Sequence, residues 1–252
     1  MRSPEHNLFF AGRFDGNTAS LDAEETRHAI SVLRMKPGDR ITMTDGSGWR
    51  FSGTIPPNLG RDGMTVAIVE RVQATPLQPA LTIFAGMPER GAFEEMLVML
   101  VLLGVAAIVP VVCAYCQKNW WEERWEKLSP RFRTIMVTAL KQSHNCLLPA
   151  LHGPKTFTQA VDMADAACLV ADMDGQTMQT AMQAVPPPAA LSCFIGPPGG
   201  FSPEELQTMK SRGSAAVRLS PNRLKTELAA VVAAACILQP AGRSLTDTSP
   251  RP

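Results

Sequence analysis

Up to about residue 72 the apolar residues come in short alternating segments, Arg40-Ile41-Thr42-Met43-Thr44 and Met64-Thr65-Val66-Ala67-Ile68-Val69 among them. A period of two puts every second side chain on one face of a strand. Asp45-Gly46-Ser47-Gly48 lies between two such segments and reads as a hairpin-type turn. One helix is predicted here, over residues 22–32, with Asp22 as N-cap and Glu25 three residues on, the spacing of a capping box. Residues 1–72 therefore read as a small, mostly β domain. Residues 73–80, with Pro76 and Pro79, read as a linker.

From Leu81 onward strands alternate with helices. Residues 81–85, 107–112, 167–171, 191–195 and 216–219 are short apolar strands, and helices follow the last two. A further helix is predicted over residues 121–140, with Glu122, Glu123, Glu126 and Lys127 on its solvated face. Such alternation implies a mainly parallel sheet covered on both faces. This α/β unit spans residues 81–245, with 246–252 as a flexible tail. Residues 96–117 carry no charge and could cross a bilayer on length alone. Gly104 and Pro110 interrupt the run, and the residue types turn from Met and Leu to Val and Ile. A buried helix followed by a buried strand is the better account, so no membrane span is expected.

Composition narrows the class. The 252 residues are 45% hydrophobic and 19% charged, which excludes a disordered chain. Lys plus Arg number 24 against 23 Asp plus Glu, for a net charge of +1. That balance excludes wholesale coating of nucleic acid but leaves room for a local basic face. Arg34, Lys36, Arg40 and Arg50 lie close together in the β domain, with Arg13 as a further member. Residues 1–72 hold nine basic and nine acidic side chains, so scattered solvated charge is the alternative. Trp120, Trp121 and Trp125 either stack bases or pack their helix on the sheet. No apolar leader follows the polar first residues, and six cysteines are spread widely, so a reducing cytoplasm is expected. Cys113-x-x-Cys116 has a zinc-like spacing but no second pair, which favours free thiols and no metal.

Ligands of open α/β sheets sit beyond the carboxyl ends of strands. Two loops there draw notice. The first, Gly196-Pro197-Pro198-Gly199-Gly200-Phe201, leaves a strand and enters a helix capped by Ser202, with Pro203 first in the helix and Glu205 completing a capping box. It lacks the ending of a phosphate loop and the glycine spacing of a dinucleotide site. The second, Ser220-Pro221-Asn222-Arg223-Leu224-Lys225-Thr226-Glu227, also joins a strand to a helix. Each alone fits a structural turn; together they suit a pocket.

In order and wording the chain resembles the RsmE family, the small-subunit ribosomal RNA uridine N3-methyltransferases of the SPOUT class. The resemblance rests on His28 with Val32-Leu33-Arg34-Met35-Lys36-Pro37-Gly38-Asp39, on Asp45-Gly46-Ser47-Gly48, on Leu103-Gly104-Val105, on Lys141-Gln142-Ser143 with Pro149, and on the two loops. It implies a PUA-like β-barrel domain for RNA, then a knotted SPOUT α/β domain that binds S-adenosylmethionine and forms a homodimer. The donor would lie against Ile195, Gly196, Pro197, Gly199 and Gly200 of the first loop and Leu219, Ser220, Asn222 and Leu224 of the second, with Ala171 and Asp172 as a third wall. Glu227, Arg223 and Lys225 would serve the chemistry. Arg13, Arg34, Lys36, Arg40, Arg50 and Gln142 would meet ribosomal RNA or the small ribosomal subunit.

Several family charges are replaced. Pro198 stands where the family has a glutamate, Asn145 and Asn222 where it has arginines, and Ala114-Tyr115-Cys116 where it has Glu-Arg-Ser. Two other functions fit those losses: a catalytically silent RNA- or ribosome-binding relative, and a knotted methyltransferase with a changed RNA substrate.

Overall fold

A computed structural model describes residues 7–58, 63–116, 124–183 and 188–238. The alternating segments form β1 (Leu8–Phe10), β2 (Arg13–Asp15), β3 (Thr18–Asp22), β4 (Arg40–Thr44), β5 (Trp49–Thr54) and β6 (Gly63–Gln73), in the order β1-β4-β5-β6-β3-β2. All neighbours are antiparallel except β1 and β4. β6 serves both halves of this curled sheet, pairing with β3 at its start and β5 at its end. The register of β5 shifts at Gly53, where a Cβ would stand 2.4 Å from the Ala67 carbonyl oxygen. Phe9, Ile41, Met43 and Val66 fill the interior of this domain.

Asp22 caps α1 (Ala23–Arg27), its Oδ1 accepting the Glu25 N–H at 2.8 Å. The helix predicted over 22–32 is not uniform, because His28–Val32 is a π-helical turn that Leu33 closes by donating to the His28 carbonyl at 3.0 Å. A wide turn admits one more residue than an α-turn. Hydrophobic spacing over five residues does not separate the two.

The second domain runs β7 (Ala80–Gly86), α2 (Arg90–Leu103), β8 (Ala107–Val112), α3 (Trp125–Ser143), β9 (Ala150–Leu151), β10 (Lys155–Thr156), α4 (Phe157–Met163), β11 (Cys168–Thr177), α5 (Met178–Gln183), β12 (Ala190–Ile195), α6 (Pro203–Ser211), β13 (Ala215–Arg218) and α7 (Thr226–Leu238). Its sheet has the order β10-β8-β7-β12-β11-β13, with β9 beside β8, and every pairing is parallel. Alternation sorts the core. Leu81, Ile83 and Ala85 of β7 face Phe93, Leu97, Phe132 and Ala230 from α2, α3 and α7. Phe84 points the other way and stacks on Phe194 at 4.4 Å between centroids, beside Val109 and Met209.

The uncharged run divides at Gly104, a left-handed C-cap with φ of 79°, into α2 and β8. Among the described residues no helix is long and apolar enough to cross a membrane. The helix predicted over 121–140 extends to Ser143, so Lys141, Gln142 and Ser143 form its last turn. Trp120, Trp121, Glu122 and Glu123 lie outside the described residues, as do 246–252. Trp125, partly buried, packs on Phe132 at 5.3 Å, against the edge of the core. Pro130 lacks the N–H that would reach the Glu126 carbonyl, and the Ser129 hydroxyl donates to that oxygen at 3.2 Å instead. β9, β10, α4 and α5 are too short for periodicity to predict.

The turn between β4 and β5 meets the chain after α3. Gly48 donates to the Cys146 carbonyl at 2.7 Å and Leu148 to that of Gly46 at 2.9 Å. Nearby, the Lys141 ammonium pairs with Glu25 of α1, whose carboxylate also accepts the Phe10 N–H at 3.4 Å.

Candidate active site

Three chain segments at the carboxyl edge of the parallel sheet enclose a cavity of about 350 Å³. The first is a break within β11. Ala171 and Gln176 both pair with Val217 of β13, so residues 172–175 loop out of the ladder. A Cβ on Gly175 would come 2.5 Å from the Val217 amide nitrogen, so the returning backbone needs glycine there. Inside the excursion Asp174 donates its N–H to Asp172 Oδ1 at 3.0 Å. Asp172 and Asp174 both line the cavity.

The second segment follows β12. Gly200, with φ of 78°, donates to the Pro197 carbonyl at 2.7 Å and closes a turn through Pro198 and Gly199. Ser202 caps α6, and Glu205 returns the bond by accepting the Ser202 N–H at 2.8 Å. The other carboxylate oxygen of Glu205 accepts the Ala114 N–H at 2.8 Å, which ties the loop after β8 to the same helix end. A Cβ on Gly86 at the end of β7 would stand 2.3 Å from the Pro197 nitrogen. At Gly86 and Gly175 the neighbouring backbone leaves no room for a side chain.

The third segment follows β13. The buried Thr226 hydroxyl, in the first turn of α7, donates to the Gly196 carbonyl at 2.9 Å and joins this loop to the second. The Ser220 hydroxyl accepts the Asn222 N–H at 3.1 Å.

Ala171, Asp172, Ile195, Gly196, Pro197, Gly199, Gly200, Leu219, Ser220, Asn222 and Leu224 all line the cavity. Arg223 lines it too, whereas Lys225 and Glu227 are not in the wall. Glu227 is half-buried in the first turn of α7, and Lys225 is exposed just before it. Sequence reasoning did not name Met173, Asp174, Pro198, Phe201, Leu206, Val217, Thr226 and Ala229 as donor-wall residues. Asp172-Met173-Asp174-Gly175 has turn chemistry that could have flagged the excursion.

The β-domain candidates divide. Arg40 pairs with Glu70, and Arg50 donates to the His144 carbonyl at 2.9 Å, beside the helix end that carries the exposed Gln142. Arg13, Arg34 and Lys36 are exposed, with no ion-pair partner among the described residues. Asn145 is a turn residue, its Oδ1 accepting the N–H groups of Cys146 and Leu147 at 2.8 and 3.1 Å. Among the described residues no group of three or more His, Cys, Asp or Glu could hold a metal ion.

A parallel sheet with a cavity at its strand ends, preceded by a curled β domain, is the architecture of an α/β ligand-binding protein with an added β domain. The family model for an RNA methyltransferase domain matches residues 75–238, and that for an RNA methyltransferase PUA domain matches residues 21–55. The chain belongs to this RNA methyltransferase family, in its RsmE branch. The ribosomal RNA small subunit methyltransferase E of Mycobacterium bovis is 28% identical over 223 residues, covering 86% of this chain and 85% of that one. Its Bacillus subtilis counterpart is 23% identical over 229 residues, covering 87% and 89%. A Legionella pneumophila methyltransferase solved with bound SAM superposes with a TM-score of 0.78 at 25% identity, covering 91% of this chain and 96% of that one. A probable rRNA-methyltransferase from Porphyromonas gingivalis gives 0.80 at 25% identity, covering 90% and 95%.

Proposed function

We propose that the protein transfers a methyl group from S-adenosylmethionine to N3 of a uridine in small-subunit (16S) ribosomal RNA, as a cytoplasmic homodimer with a knotted catalytic domain. The observation that carries this reading is the cavity enclosed by residues 171–174, 195–201 and 219–224. Its residues fit the donor: Ile195, Leu206, Leu219 and Ala229 offer apolar surface, the glycine loop offers backbone groups, and Asp172 and Asp174 offer carboxylates to cationic centres. The names of the relatives supply the ribosomal substrate, and the Legionella structure supplies the donor.

S-adenosylmethionine supplies an electrophilic methyl group on a sulfonium. The protein's part is to hold the two reactants in line, a contribution that can reach roughly 7–11 kcal/mol. The uridine N3 proton must also leave, which asks for a base or for a cation that favours the anion. Arg223 is a cation of the cavity wall, and Lys225 and Glu227 follow it in the chain at the start of α7. Glu227 takes the base role and Arg223 and Lys225 the electrostatic one. The exposed Arg13, Arg34 and Lys36, with Arg40, Arg50 and Gln142, form the RNA-facing side.

Mapping N3-methyluridine in 16S ribosomal RNA from a strain lacking the protein tests the reading. One modified uridine should lose its methyl group and regain it on complementation. An unchanged methylation map would overturn the assigned substrate. Glu227→Gln should lower the rate of methylation without weakening donor binding, and an unchanged rate would remove Glu227 from the chemistry.

A further inference from the structure

The loop after β8 holds two cysteines that the methyl-transfer reading does not use. Cys116 donates its N–H to the Cys113 carbonyl at 3.1 Å, closing a tight turn through Ala114 and Tyr115. The ends of such a turn are within about 7 Å at Cα, which overlaps the span a disulfide bridges. Both sulfurs converge on one oxygen: Cys116 Sγ lies 3.5 Å from the Val111 carbonyl and Cys113 Sγ 3.9 Å from it. The Cys113 backbone N–H points at Cys116 Sγ from 3.3 Å. Cys113 is buried and Cys116 partly exposed, so one sulfur can meet a solute while the other waits behind it.

We propose that Cys113 and Cys116 form a thiol–disulfide exchange site for small disulfides, whose oxidised state loosens the methyl-donor cavity. The Cys116 thiolate attacks one sulfur of the small disulfide, forming a mixed disulfide and releasing the first small thiolate, which takes a proton from water. Cys113 then gives up its proton to solvent and attacks Cys116 Sγ, releasing the second thiolate. In sum, two protein thiols and one small disulfide become one protein disulfide and two small thiols. The local chemistry supports this division of labour. Hydrogen bonds from the Cys113 thiol and backbone hold the Cys116 thiol down to about 7, against burial and the nearby Glu205. The Cys113 thiol is pushed up by its bond to Cys116 and by burial. A partly exposed, low-pKa thiol beside a second sulfur is the arrangement that exchange needs.

The turn reaches the cavity at two points. Ala114 is anchored on Glu205, which also holds the Ser202 N–H at the end of the glycine loop. Tyr115 lies against Gly199, where an added Cβ would come 2.8 Å from the Tyr115 Cβ. Drawing the two sulfurs to bonding distance, about 2.05 Å, reshapes this turn and presses on both contacts. The expected outcome is a drop of about tenfold in donor affinity, within the usual range for coupled sites. This second clause rests on the donor reading of the cavity; the dithiol itself does not.

The test equilibrates the full chain with glutathione and glutathione disulfide, alkylates free thiols, and reads the peptide carrying both cysteines by mass. The expected result is that peptide two hydrogens lighter and unalkylated, and loss of the bridge in Cys116→Ser. Full alkylation of both residues under excess glutathione disulfide would overturn the site. Calorimetry with S-adenosylmethionine then compares reduced and oxidised protein. Weaker binding after oxidation in the wild type, with no change in Cys116→Ser, supports the coupling, and equal affinity overturns it. Absence of heat from reduced protein would overturn the donor reading instead, and the mass result would still decide the dithiol.

Discussion

At the carboxyl edge of the parallel sheet, loops are fastened to one another by buried groups bonded to backbone, whereas on the β domain the arginines stand in solvent and several already hold protein partners. Glu205 binds two backbone N–H groups from two loops, and Thr226 joins the loop after β13 to the glycine loop. Arg40 and Arg50 carry charge that the sequence counts as available, yet one pairs with Glu70 and the other braces the chain after α3. The cavity is a property of backbone geometry, and its shape tolerates little change. The basic face is a property of individual side chains, and its members differ in what they can give to RNA.

Changes at the cavity should therefore cost most. Glu205→Ala leaves the Ser202 and Ala114 N–H groups without their acceptor and should lower stability by about 3 kcal/mol, measured by urea denaturation. It should also weaken S-adenosylmethionine binding, because it frees both the glycine loop and the loop after β8. Thr226→Val removes the link to Gly196 at nearly constant volume and should cost about 1 kcal/mol, with a matching loss of donor affinity. Donor affinity equal to wild type in both variants would break the contrast between the two regions.

Smaller effects belong to the exposed charges. Replacing Arg13, Arg34 or Lys36 with Ala should each reduce the salt dependence of RNA affinity by about one unit of slope, with stability unchanged. Arg40→Ala should change that slope less, since its guanidinium is already paired. Equal slopes for all four would erase the distinction drawn between paired and unpaired arginines.

The smallest effect is on the outer surface of α2 and α3. Hydrogen bonding from Arg131, aided by Arg90, holds the Glu94 carboxyl down to about 2 from an ordinary 4.5. A depressed carboxylate stabilises the fold above about pH 4.5, and that contribution fades as pH falls toward 2. Arg131 is in solvent, where water screens the pair, so Arg131→Ala should lower stability at pH 7 only slightly. The difference from wild type should vanish near pH 2 in acid-unfolding curves.

How much of this was legible in the sequence depends on distance along the chain. The capping box at Ser202 and Glu205, the Asp22 cap and the Gly104 break are local, and residue type and spacing suffice to read them. The loop-out at residues 172–175 is not local, because it exists only in the pairing of β11 with β13. Asp174 lines the cavity only because of that pairing. Thr226 is one residue of a polar loop in the sequence, and only folding brings Gly196 to its hydroxyl. The second task of Glu205, on Ala114, spans 91 positions and leaves no local trace. Arg50 counted as a basic side chain until the fold placed the His144 carbonyl in front of it.

Titration of the reduced protein with S-adenosylmethionine by calorimetry decides whether the strand-end cavity holds the methyl donor. The expected result is saturable binding at one site per chain, weakened in Thr226→Val and unaffected in Arg34→Ala. No heat of binding at millimolar donor would contradict it.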